Sequence, residues 1–132
     1  MNGGPFGGLT PVPVLALGDI LLVTLQGELH DGTAEQLQED ITHRIAQGNA
    51  SGVVIDISGV EIIDSFLGRI LAEIASTARL LAARTVVAGM RPAVAITLAE
   101  LGLTLPGLHT ALNTERAMDL LASPRSPVQK GT

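Results

Sequence analysis

From residue 12 to residue 122 the hydrophobic period of the chain switches repeatedly. Val12 to Leu17 and Ile20 to Leu25 are short apolar runs separated by Gly18-Asp19, which predicts two strands joined in a hairpin. Ala34, Leu37, Ile41 and Ile45 then recur at helical spacing behind Asp31 or Thr33 as cap, with Glu35, Gln38, Glu39 and Arg44 on the opposite face and Gly48-Asn49 as the stop. Val53 to Ile57 is a continuous apolar strand of the kind buried on both faces. A second helix is expected from about Asp64 to Ala82, its buried stripe running from Phe66 and Leu67 to Leu81 and its wetter face formed by Arg69, Glu73, Ser76 and Thr77. Thr85 to Ala88 predicts a strand closed by Gly89, and Pro92 opens a helix carrying Val94, Leu98 and Leu101 and stopping at Gly102. Leu108 to Leu112 predicts a short strand. A last helix follows, capped by Asn113 or Thr114, with Ala117, Leu120 and Leu121 turned inward. Strands alternating with helices predict an α/β fold: a single domain with a mixed sheet, opened by a hairpin and covered by about four helices.

The ends read differently. Residues 1–11 are rich in Gly and Pro and residues 123–132 in Ser and Pro, so both are expected to be disordered tails around a domain at 12–122. Of the 132 residues 46% are hydrophobic, enough for a core, and that core is aliphatic because the chain has two Phe and no Trp or Tyr. A net charge of −5 with scattered Lys and Arg argues against nucleic-acid binding and fits docking on a basic partner surface. With no cysteine there are no disulfides, thiol chemistry or Cys-based zinc sites. The N-terminus does not read as a signal peptide and no apolar run is long enough to span a bilayer, so a cytoplasmic protein without membrane contact is expected.

The stretch from Val53 to Gly68 carries most of the chemistry. A buried strand ending near Asp56 passes through a loop into a helix starting at Asp64-Ser65. Partners and ligands gather beyond the carboxyl ends of such strands. A phosphate on Ser65 would meet unpaired backbone N–H groups, with Arg69 one turn on as a further donor and Asp56 and Asp64 opposing. It would add roughly −1.5 to −2 charges, repelling an acidic partner and blocking close apolar packing. By residue type alone, a Ser at a helix start is more often a cap, although Asp64 is an equally competent one. Gly89-Met90-Arg91-Pro92 is a second loop beyond a strand end, either a simple turn or part of the same docking surface. His30, His43 and His109 show no metal-ligand spacing; His43 reads as solvated, and His30-Asp31 as a turn or a partner contact.

The segments from Gln26 to Asp31, Gln38 to Asp40, Gly52 to Asp56, Ile63 to Phe66, Arg91 to Leu98, Glu100 to Gly102 and His109 to Leu112 together resemble the STAS domain of anti-sigma-factor antagonists, most closely its RsbS branch of stressosome scaffolds. The general antagonist pattern continues Asp-Ser with Ser/Thr-Gly, where this chain has Phe66 and Leu67; an aromatic after the serine is similar to the RsbS variant. The resemblance implies a non-enzymatic scaffold and antagonist without a cofactor. It implies phosphorylation of Ser65 by an RsbT-like serine/threonine kinase that the unphosphorylated protein holds, and removal of that phosphate by an RsbX-like phosphatase. It also implies self-association and co-assembly with RsbR-like paralogues in a large complex that controls a stress response. Ser65 would be the phosphosite and Asp56, Asp64, Phe66, Arg69, Gly89 and Arg91 its docking surroundings. A free-standing anti-anti-sigma factor is the alternative within the family, and a small hydrolase using Asp56, Asp64 and Ser65 is the alternative outside it.

Overall fold

A computed structural model describes residues 12–103, 105 and 107–123. The two tails expected at 1–11 and 124–132 lie outside the described residues. Five strands form one sheet in the order of the chain: β1 (Val14–Leu17), β2 (Ile20–Gln26), β3 (Gly52–Gly59), β4 (Arg84–Ala88) and β5 (Leu108–Ala111). β1 and β2 pair antiparallel, as a tight Gly18-Asp19 turn requires, and every later pairing is parallel. The helices are α1 (Asp31–Ala46), α2 (Ser65–Leu80), α3 (Pro92–Glu100) and α4 (Thr114–Ala122).

The layering follows from this order. Each parallel strand is added on the same side of its predecessor, so right-handed crossovers put α1, α2 and α3 on one face. Leu21, Val23, Leu25, Val53, Ile55, Ile57 and Val87 point into that layer and pack with Leu37, Ile41, Leu71, Ile74, Val94 and Leu98. Only α4, after the last strand, is free to cover the other face, and it does so through Ala117 and Leu121 against Val54, Val86 and Ala88. Strand β3, covered on both faces, is therefore the uninterrupted apolar run seen in the sequence.

Several local expectations change. The N-cap position of α1 is His30, whose side chain makes no cap bond; Asp31 is already helical and Thr33 is buried. The strong apolar stripe at Ala34, Leu37 and Ile41 fixes where α1 begins, so tertiary packing overrides the cap preference. Helix α2 ends at Leu80 rather than Ala82, and Ala82 itself takes a left-handed conformation, φ 65°, to turn the chain into β4. Leu120, expected inward, is 38% exposed; the narrow α4 seam is filled by Ala117 and Leu121.

Candidate functional site

The site lies at the carboxyl ends of β2 and β3. The register pairs Gln26 with Gly59, and the Gly27 N–H donates to the Gly59 carbonyl at 3.1 Å, so the loops that leave the two strands start side by side. The β3–α2 loop is held by alternate anchoring. Val60 and Ile63 are buried, Ile63 at 4% exposure, whereas Glu61 and Ile62 between them face out, Ile62 at 85%. Ile62 and Ile63 thus lie on opposite sides of the loop backbone.

Asp64 then caps α2. Its backbone is extended, its Oδ1 accepts the Leu67 N–H at 2.8 Å, and its carbonyl accepts the Gly68 N–H at 3.1 Å. Ser65 is consequently the first helical residue instead of the cap. Its side chain is exposed and, among the described residues, its Oγ has no hydrogen-bond partner. Phe66 is half-buried against the helical core and Arg69 is exposed one turn further along α2. Helix α2 approaches α3 closely at Gly68, where a Cβ would come within 2.5 Å of the Leu103 side chain and 3.1 Å of that of Leu98.

Asp56, Gly89 and Arg91 form a second group, linked to the root of the same loop. Asp56 Oδ1 accepts the Ser58 N–H at 2.9 Å, and the Thr114 hydroxyl of α4 approaches Oδ2 at 3.5 Å. Arg91 Nε donates to the Ser58 carbonyl at 2.9 Å, tying the β4–α3 turn to the end of β3. Gly89 has φ +74°, and a Cβ there would lie 2.9 Å from the Ser58 Cβ and 3.3 Å from Asp56 Oδ1, so both conformation and space call for glycine. The β4–α3 turn thus does sit against the β3–α2 loop, but at its start, whereas Ser65 is at its far end. Asp56 and Asp64 are each engaged by a backbone N–H of their own segment. His43 is exposed and within 3.2 Å of Gln47 Nε2, on the outer face of α1.

A cleft of about 830 Å³ opens between the β2–α1 and β3–α2 loops. Glu28, Asp31, Glu61 and Asp64 surround it, with His30, Leu29, Ile62 and Leu67 among the other lining residues. Glu28, Glu61 and Ile62 were not singled out by sequence reasoning. The available signal was the Ile62-Ile63 pair; the rest depends on the β2–β3 register. Among the described residues no cluster of His, Asp or Glu has the arrangement to hold a metal ion, and no helix is long and apolar enough to cross a membrane.

Comparison with known proteins agrees with this architecture. A STAS domain model matches residues 12–117. RsbT co-antagonist protein RsbRC of Bacillus subtilis is 31% identical over 111 residues, which make up 82% of this chain and 39% of that protein. The chain spans about two fifths of the length of such relatives. A solved serine-to-glutamate variant of RsbS from Moorella thermoacetica is 42% identical, with a TM-score of 0.77 over 86% of this chain and 96% of that one. A chain in a structure of the stressosome, described as a signal integration and transduction hub, is 40% identical, with a TM-score of 0.70 over 83% and 96%. Unphosphorylated SpoIIAA, an anti-sigma factor antagonist, shares the fold at 19% identity and a TM-score of 0.69 over 86% and 99% of the two chains. The five-stranded mixed sheet with four helices, and the family match across it, establish that the chain belongs to the STAS domain family.

Proposed function

We propose that the protein is a cytoplasmic stressosome scaffold and kinase antagonist. In this reading it co-assembles with RsbR-like paralogues, holds an RsbT-like serine/threonine kinase, and releases it when Ser65 is phosphorylated. An RsbX-like phosphatase resets the state. The observation that carries this reading is the division of labour at the start of α2: Asp64 serves as the cap and leaves the Ser65 hydroxyl exposed and unpartnered. Similarity to RsbS over nearly the whole of that chain supports the scaffold role.

The docking surface is the acidic cleft with Ile62, Phe66 and Arg69 beside it, extended by Gly89 and Arg91 along the sheet end. Four carboxylates around the cleft fit a basic partner. The charge of a phosphate by itself attracts such a basic partner and does not repel it, so release in this reading comes from the bulk and hydration of the group, which prevent close packing over Ile62 and Phe66. The nearby Asp64 carboxylate adds repulsion inside this chain, which the α2 N-terminus and Arg69 offset.

Incubation with the cognate kinase and ATP, followed by intact-mass spectrometry and peptide mapping, tests the site. One added phosphoryl group on Ser65, absent from Ser65→Ala, is the expected result. Undiminished phosphorylation of Ser65→Ala would remove Ser65 from the mechanism.

A further inference from the structure

Helix α4 covers the sheet with one flank and leaves the next flank open. Ala117 and Leu121 pack on β3 and β4, whereas Arg116, Asp119 and Leu120, at spacings i, i+3 and i+4, share the neighbouring flank. That flank walls a groove of about 920 Å³, whose other side is formed by Arg91 of the β4–α3 turn, the end of β5 and Leu112 just beyond it. Leu112 is 77% exposed and Leu120 38%, so the apolar part of this groove has no cover. Strand β5 ends the sheet order and holds no Lys, Arg, Asp, Glu or Pro. The Ala111 carbonyl accepts the Gly89 N–H at 3.0 Å, so Ala111 turns its backbone groups toward β4 and Thr110, by the alternation of a strand, turns its own to the open edge. Such edges are ordinarily guarded by charge or proline, and this one is not.

We propose that this groove receives an extended acidic segment of a partner protein, laid along the β5 edge with its aliphatic side chains on Leu112 and Leu120 and its carboxylates on Arg91 and Arg116. Charge selects the occupant. The chain has 13 Asp and Glu against eight Lys and Arg, yet two arginines and one aspartate, Asp119, line this groove, so its sign is locally reversed. Among the described residues the Arg116 guanidinium has no hydrogen-bond or ion-pair partner, and Arg91 uses only its Nε, on the Ser58 carbonyl. Residues 1–11 and 124–132 contain no Asp or Glu, and the latter carry Arg125 and Lys130, so neither segment of this chain has the chemistry to fill the groove. No aromatic side chain lines it, which leaves out ring stacking and favours aliphatic contacts with backbone hydrogen bonds to Thr110, as when a strand is added to a sheet edge. The inference goes beyond the kinase reading: the acidic cleft between the loops after β2 and β3 attracts a basic partner, whereas the groove beside β5 attracts an acidic one. The two surfaces meet at Arg91, so the variants below leave Arg91 intact.

The test uses the full chain and two labelled synthetic peptides, one alternating Glu with Val and one alternating Lys with Val. Fluorescence anisotropy should show the Glu peptide binding with a dissociation constant below about 1 mM, and binding more weakly as salt is raised. The amide resonances of Thr110, Leu112, Arg116 and Leu120 should move during that titration while those of Ile62 and Ser65 stay in place, and the Lys peptide should leave the four unmoved. Arg116→Glu should weaken the Glu peptide roughly tenfold or more by turning an attraction into a repulsion, and Leu112→Ser roughly threefold, both with circular dichroism unchanged. Absence of binding, shifts centred on Ile62 and Ser65, equal binding of the Lys peptide at the same amides, or unchanged affinity in Arg116→Glu would overturn the proposal. So would binding that appears only when residues 124–132 are deleted, which would make that segment the occupant. Concentration-dependent shifts of the four amides in the protein alone would overturn it as well, because the occupant would then be a second copy.

Discussion

Asp64 and Ser65 are adjacent, both are good helix caps, and only one of them caps α2. Replacing Asp64 by Ala removes the 2.8 Å bond to the Leu67 N–H and leaves that donor to solvent. Loss of an N-cap acceptor costs about 1 kcal/mol, within a range of roughly 0.5–2. The carboxylate also faces the positive end of the helix, an exposed interaction of about 0.3–1 kcal/mol that salt weakens. Asp64→Ala should therefore destabilise the domain by about 1.5 kcal/mol at low salt. Asp64→Asn keeps an acceptor oxygen and should lose only the charge-dependent part. Ser65→Ala removes a hydroxyl without a partner and should stay within about 0.5 kcal/mol of wild type. Urea unfolding followed by circular dichroism resolves these differences through the midpoint, provided the slope is unchanged. A Ser65→Ala variant less stable than Asp64→Ala would show that Ser65 is the cap, and the argument for a free phosphorylatable hydroxyl would collapse.

Thr85 is 1% exposed and its Oγ1 has no hydrogen-bond partner among the described residues, so Thr85→Val, which keeps the shape, should stabilise the domain by about 1 kcal/mol in the same unfolding assay. Gly89→Ala should destabilise by about 2 kcal/mol or more, since it forces a left-handed backbone and meets the Ser58 side chain; a neutral result in thermal melts would contradict the packing described for that turn. Ile62→Ala should leave stability within about 0.5 kcal/mol of wild type and weaken kinase capture roughly tenfold in a calorimetric titration; unchanged affinity would move the docking surface away from the cleft.

Much of the fold was legible because the signals are local. Apolar runs of strand length at β2, β3 and β4 and the periodic stripes of α1 and α2 each reflect burial by their own residues. Their alternation, read with right-handed crossovers, leads to the layering. What was not legible depends on contacts distant in sequence. The α1 start was displaced from Asp31 and Thr33 to His30 because packing of Ala34 and Leu37 outweighs capping. Leu120 fits an inward stripe in sequence, but α4 meets the sheet through Ala117 and Leu121, with Met118 half-buried beside them, and leaves Leu120 exposed. Glu28 and Glu61 share a cleft only because β2 and β3 pair in parallel and end together. The importance of Ser65 came from its resemblance context; its freedom from capping required the geometry of Asp64.

The central claim is that phosphorylation of Ser65 loosens the grip on a kinase. Titrating the RsbT-like kinase into the protein before and after quantitative phosphorylation of Ser65 measures that directly. The account predicts tight binding to the unmodified chain and a loss of at least about tenfold in affinity on phosphorylation, or about 1.4 kcal/mol. Equal affinity of the two forms would contradict it.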